Sequence, residues 1–125
     1  MKLINKDISV CLWSPDYEKL AAWYESILGF KVQRRLTLPD DTGVDFDFAP
    51  TYFYVGKHNK VKGKNKDPYR IMIGFNVKSV TEVYKELKAK KVTIIAKPFA
   101  GPPGGFWCMT IADPEGNLIQ FFGQQ

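Results

Sequence analysis

Few side chains in this sequence are equipped for chemistry. The chain has one histidine, His58, at the edge of a lysine-rich run. A single imidazole in that setting reads as a surface group, with metal ligation as the other option. Asp45 and Asp47 stand at i and i+2, alternating with Val44, Phe46 and Phe48. Two carboxylates on one strand face could act as an acid–base pair. Alternation on an exposed face accounts for them more simply and is the expectation. Arg34 sits between Val32 and Leu36, where it could fork onto a carboxylate or phosphate. The expectation is that it snorkels from an edge strand instead. Cys11 and Cys108 lie in apolar runs without metal-ligand spacing and read as two free, buried thiols. The run Gly101-Pro102-Pro103-Gly104-Gly105 lacks the Lys-Ser/Thr of a phosphate loop. It reads as a loop, a candidate lid.

The composition bounds what such residues can do. With 125 residues, the chain has the length of a single domain, 1–125. Its 45% hydrophobic and 14% aromatic content excludes a disordered chain. No stretch approaches the roughly 20 apolar residues of a membrane span, so no membrane partner is expected. Met1 to Asp7 has no apolar core of a secretory signal. Together with free thiols this points to the cytoplasm. The net charge is +5, and residues 56–67 carry four of those charges, with five lysines against Asp67 alone. Without arginines or interleaved aromatics, that run reads as a solvated loop and argues against nucleic acid.

The elements that must position these residues occur twice. Asp7 to Trp13 alternates, with Ile8, Val10 and Leu12 on one face and Ser9, Cys11 and Trp13 on the other. Asp16 fits an N-cap, Leu20, Tyr24, Ile27 and Leu28 form a helical stripe, and Gly29 stops the helix. The plan returns 63 residues later. Ile71, Ile73, Phe75 and Val77 oppose Met72, Gly74 and Asn76. Ser79 and Glu82 make a capping box, and Val80, Val83, Tyr84 and Leu87 form the next stripe. Extended runs follow at 30–38, 44–48 and 51–57, then at 92–96, 106–112 and 118–122. Residues 39–43 make the first turn, and Asp113-Pro114-Glu115-Gly116-Asn117 the last. Each half is βαβββ: 7–57 and 69–125, joined by a Lys-rich linker at 58–68.

Three motifs carry a family resemblance: Ser14-Pro15-Asp16-Tyr17-Glu18-Lys19, the helix end Trp23-Tyr24-Glu25-Ser26-Ile27-Leu28-Gly29-Phe30, and Asp113 to Phe122. In this order and spacing they resemble the vicinal oxygen chelate superfamily of glyoxalase I, bleomycin-resistance proteins and extradiol dioxygenases. The resemblance implies an α+β fold in which two βαβββ modules form a curved mixed sheet around a cleft. It also implies a homodimer.

Metal-dependent members of that superfamily place His or Glu on the first and last strand of each module. Carried over, those positions are Ser9, Met72 and Gln120. The fourth strand, 51–57, has no carboxylate and only His58 just beyond it. Neutral Ser, Met and Gln are weak ligands for Zn, Ni, Mn or Fe. The resemblance therefore implies a fold whose metal centre is missing and no cofactor. The implied cleft would be lined by Trp13, by Tyr52 and Tyr54 or else Phe53, by Trp107 or Phe106 with Cys108, and by Met72, Gln120 and Phe122. Aromatic walls with a few amides suit a small, flat organic ligand. The expected ligand contacts are Trp13, Tyr54, Met72, Trp107 and Gln120, with sequestration as the expected role and no catalytic residues. The alternative is a metal-dependent lyase, isomerase or dioxygenase with displaced ligands, drawn from Asp45, Asp47 and His58.

Overall fold

The computed structural model describes residues 1–4 and 7–125. Asn5 and Lys6, within the N-terminal stretch read above, lie outside the described residues. The chain divides into two compact units, Met1–Gly63 and Lys64–Gln125, and the boundary falls inside the Lys-rich segment. Among the described residues, no helix is long and apolar enough to cross a membrane.

The first unit runs β1 (Ser9–Ser14), α1 (Tyr17–Ile27), β2 (Val32–Leu38), β3 (Asp41–Phe46) and β4 (Tyr52–Lys57). Its sheet has the order β1-β4-β3-β2, with β1 parallel to β4 and the other pairs antiparallel. The Asp16 carboxylate caps α1, accepting from the Lys19 N–H at 3.5 Å. Gly29, at φ +72°, ends it, and the Phe30 N–H donates to the Tyr24 carbonyl at 3.1 Å. Leu20, Ala21 and Tyr24 are the buried face of the helix. The Tyr24 ring meets Phe53 at 5.7 Å and Phe46 at 6.4 Å, which fixes Val44, Phe46, Phe53 and Val55 as the helix-side face of the sheet.

The second unit repeats the plan with β5 (Met72–Ser79), α2 (Val80–Ala89), β6 (Thr93–Ala100), β7 (Trp107–Ala112) and β8 (Leu118–Gln124). A short 3-10 turn, Pro68–Arg70, precedes it. The order is β5-β8-β7-β6, again mixed, so the fold is α+β with two βαβββ modules. Ser79 Oγ accepts from the Glu82 N–H at 3.2 Å, as the capping motif requires. Asp113 is 5% exposed and organises the last turn. Its carboxylate accepts from the N–H groups of Glu115 and Asn117 and from Asn117 Nδ2, all within 2.9 Å. Gly116 supplies φ +82°.

Four expectations change in the structure. The first hairpin turn is only Pro39-Asp40, because Leu38 pairs with Asp41 and Thr37 with Thr42. β6 continues through Pro98 to Ala100, which an edge strand tolerates where a central one would not. Ile8 and Ile71, read above as the first residues of apolar strand faces, are exposed, since each strand begins one residue later. Cys11 is exposed, whereas Cys108 is buried, which pushes its thiol up.

α2 ends in a motif that asks for glycine. The Val92 N–H donates to the Leu87 carbonyl and the Lys91 N–H to that of Lys88, with Lys91 at φ +59°. A side chain in that conformation is strained. Lys91→Gly is expected to stabilise the protein by roughly 0.5–1 kcal/mol, read as a higher denaturant midpoint. Asp113→Ala removes three charge-assisted bonds and is expected to cost on the order of 3 kcal/mol, with Asp113→Asn costing less, in the same assay.

Candidate functional site

The cross-strand register of the first unit lines up side chains on the face away from α1. One row reads Cys11, Tyr54, Asp45, Arg34 across β1, β4, β3 and β2. The next reads Trp13, Gly56, Gly43, Leu36. The two glycines shape this face. A Cβ on Gly56 would come within 2.3 Å of the Tyr54 ring, and one on Gly43 within 2.5 Å of its hydroxyl. Tyr54 therefore lies along the sheet over the glycine row, and its hydroxyl donates to Asp41 Oδ1 at 2.6 Å. Burial and then that carboxylate raise the Tyr54 phenol well above its usual range. Trp13 stands edge-on to it at 5.7 Å, and Tyr52 stacks on it at 5.8 Å.

The strand register settles which aromatics share this face: Tyr52 and Tyr54 do, and Phe53 goes to α1. Trp13 and Tyr54 are thus brought together, although Tyr54 is only 2% exposed and supports the surface more than it lines it. Trp13 is 38% exposed. His58 is not an isolated surface group: its ring meets Trp13 edge-on at 5.2 Å, and Nδ1 accepts from the Lys60 N–H at 3.2 Å.

Asp45 differs from expectation, while Arg34 reaches solvent from the edge strand β2 as expected and adds an ion pair. Asp45 is buried, at 3% exposure, and its Oδ2 lies 3.3 Å from Arg34 Nη2. Arg34 thus pairs, through one nitrogen, with a carboxylate of its own chain. Asp47, just past β3, faces Lys31 at 3.9 Å instead. Tyr52 is raised by burial and then by the Asp45 charge, with Arg34 pulling it back.

In the second unit, Met72, Gly74 and Asn76 of β5 share a face with Gln120 and Phe122 of β8 and with Cys108 and Thr110 of β7. Gln120 Nε2 donates to Thr110 Oγ1 at 3.4 Å. Trp107 pairs with Gly123 and Ala100, so its side chain falls on the opposite face, with Met109 and Phe121. Phe106 takes the place expected of Trp107, meeting Phe122 at 5.1 Å. The parity of β7 decides this.

One feature of the first unit was not legible in the sequence. A hollow of about 490 Å³ opens between the start of α1 (Tyr17, Glu18), the tip of the β2–β3 hairpin (Asp40 in the turn, Asp41 at the start of β3) and the end of β4 with the residue after it (Lys57, His58). It adjoins the aromatic face through Asp41 and His58. No local motif announces it, because three separate segments build it.

The residues present do not fit a divalent cation. Ser9, Met72 and Gln120 bring no anionic or imidazole donor. Among the described residues, no three His, Cys, Asp or Glu side chains converge as a metal site, so Asp45, Asp47 and His58 are not such a set. Asp45 is already held by Arg34.

Comparison with known proteins agrees with this architecture. The profile of the Glyoxalase/Bleomycin resistance protein/Dioxygenase superfamily matches residues 8–121. No curated protein matches the chain. Among solved structures, a member of that superfamily from Sphaerobacter thermophilus DSM 20745 superposes with TM-score 0.78 at 22% identity, covering 97% of this chain and 98% of that one. SMU.1112c gives 0.79 at 19% identity, covering 96% and 99%. TnmS3, described as an antibiotic binding protein from Streptomyces sp. CB03234, gives 0.78 at 16% identity over the whole of both chains. These identities speak for the fold alone, but the profile spans nearly the whole sequence: the chain belongs to the glyoxalase/bleomycin resistance protein/dioxygenase superfamily.

Proposed function

We propose that this protein binds and sequesters a small, flat organic molecule, with no metal in the site. The observation that supports this most is the Trp13 face. A half-exposed indole is held edge-on by a buried tyrosine over two glycines, in a fold whose usual donor positions carry Ser9, Met72 and Gln120. Such a surface offers a large rigid apolar area at little entropic cost. Neutral side chains at the donor positions give a divalent cation nothing to bind. Trp13 and Tyr52 would contact the ligand, with Tyr54 bracing them. Within the second unit, Met72 and Gln120 present a thioether and an amide on one sheet face of their own. The description of TnmS3 as antibiotic binding is compatible with this reading. We further propose a single domain, acting in the cytoplasm as a homodimer, which sedimentation equilibrium tests.

Titration of intrinsic tryptophan emission with flat heteroaromatic compounds tests the proposal. Saturable quenching is expected, and Trp13→Ala, followed by calorimetry because it lacks the reporter, is expected to weaken binding at least tenfold, about 1.4 kcal/mol. Unchanged affinity in Trp13→Ala would remove Trp13 from the site. Tyr54→Phe deletes the bond to Asp41, so it is expected to cost about 1–2 kcal/mol in chemical denaturation and to weaken the same ligands more mildly.

A further inference from the structure

Asp45 Oδ1 is the one buried side-chain polar atom without a hydrogen-bond partner among the described residues. The whole Asp45 side chain is 5% exposed, and only Oδ2 is engaged, by Arg34. A buried acceptor left unpaired is costly, and a carboxylate more so than a neutral group. The ion pair alone does not explain keeping it, because Arg34 is 56% exposed and such pairs contribute little. A buried polar atom with no partner calls for a specific explanation.

The surroundings say what partner would suit it. Asp45 lies in the row Cys11, Tyr54, Asp45, Arg34, beside the Tyr52 and Tyr54 stack. The carboxylate offers an acceptor, and the exposed guanidinium next to it offers donors. An ammonium ligand would meet Arg34, and a carboxylate ligand would meet Asp45, so each is repelled by one member of the pair. A neutral edge with a donor beside an acceptor is repelled by neither.

Building on the aromatic-site reading above, we propose that Asp45 Oδ1 accepts a hydrogen bond from the bound molecule while Arg34 donates to it. The face then selects planar lactams or amides whose edge carries an N–H next to a C=O. Arg34, on the edge strand β2 and mostly in solvent, swings aside to admit that edge, and the Tyr52 ring forms the wall.

The test compares 2-quinolone, which has both groups, with 1-methyl-2-quinolone, which lacks the donor, and quinoline, which lacks both. The readout is Trp13 emission, with Trp13→Phe as the blank. Wild-type protein is expected to bind 2-quinolone at least tenfold tighter than the other two. Asp45→Leu is expected to erase that preference to within twofold while melting no lower than wild type, because it removes an orphaned buried acceptor. Arg34→Met, at an exposed edge position, is expected to weaken 2-quinolone alone among the three compounds. Equal binding of all three compounds to wild type would leave the aromatic-site reading standing and overturn the Asp45 assignment. So would a preference that survives in Asp45→Leu or Arg34→Met. If none of the three quenches, both the aromatic-site reading and the assignment fall.

Discussion

The first unit depends on two absent side chains. Gly43 and Gly56 face each other across β3 and β4, and any Cβ there would occupy the space of the Tyr54 ring or of Trp13. Because that space is free, Tyr54 lies flat and its hydroxyl reaches Asp41 at the β2–β3 turn. One bond therefore ties a central strand to the hairpin that walls the 490 Å³ hollow. The same recumbent ring gives Trp13 an edge to rest on and Tyr52 a face to stack on. The aromatic surface is a consequence of the glycine row, and the proposed ligand chemistry follows from the surface.

Neutral Ser9, Met72 and Gln120 stand at the positions where the family resemblance implies metal ligands. That substitution changes which forces are available. A metal centre orients a ligand through two or three short, directional bonds. An aromatic face offers area and stacking, which favour flatness but specify little else. Specificity then has to come from a few polar groups at the rim of the stack. In the first unit the proposed pair is Asp45 and Arg34.

Much of the fold was legible because it rests on local rules. The caps at Asp16 and Ser79, the glycine stop at 29 and the Asp113 turn all form as their residue types dictate. The repeat at a 63-residue spacing was visible for the same reason. What escaped the sequence was non-local. Alternation around Asp45 is the same whether the charged face meets water or a facing Arg34, so only the register distinguishes them. The choice between Phe106 and Trp107 turned on one residue of parity. β6 passes through Pro98 because it is an edge strand, and edge status is a property of the sheet order. The glycine row needs two strands to be aligned before its meaning appears.

The proposed function is that this chain binds a flat organic molecule with no metal in the site. Its most direct measurement is the melting temperature of the purified protein against two series at equal concentrations: divalent Ni, Zn, Mn and Fe, and flat heteroaromatic compounds. A ligand that binds the folded state raises the midpoint by mass action. The account predicts a concentration-dependent rise with members of the aromatic series and no shift with the cations. A clear rise with a cation and none with any aromatic compound would contradict it.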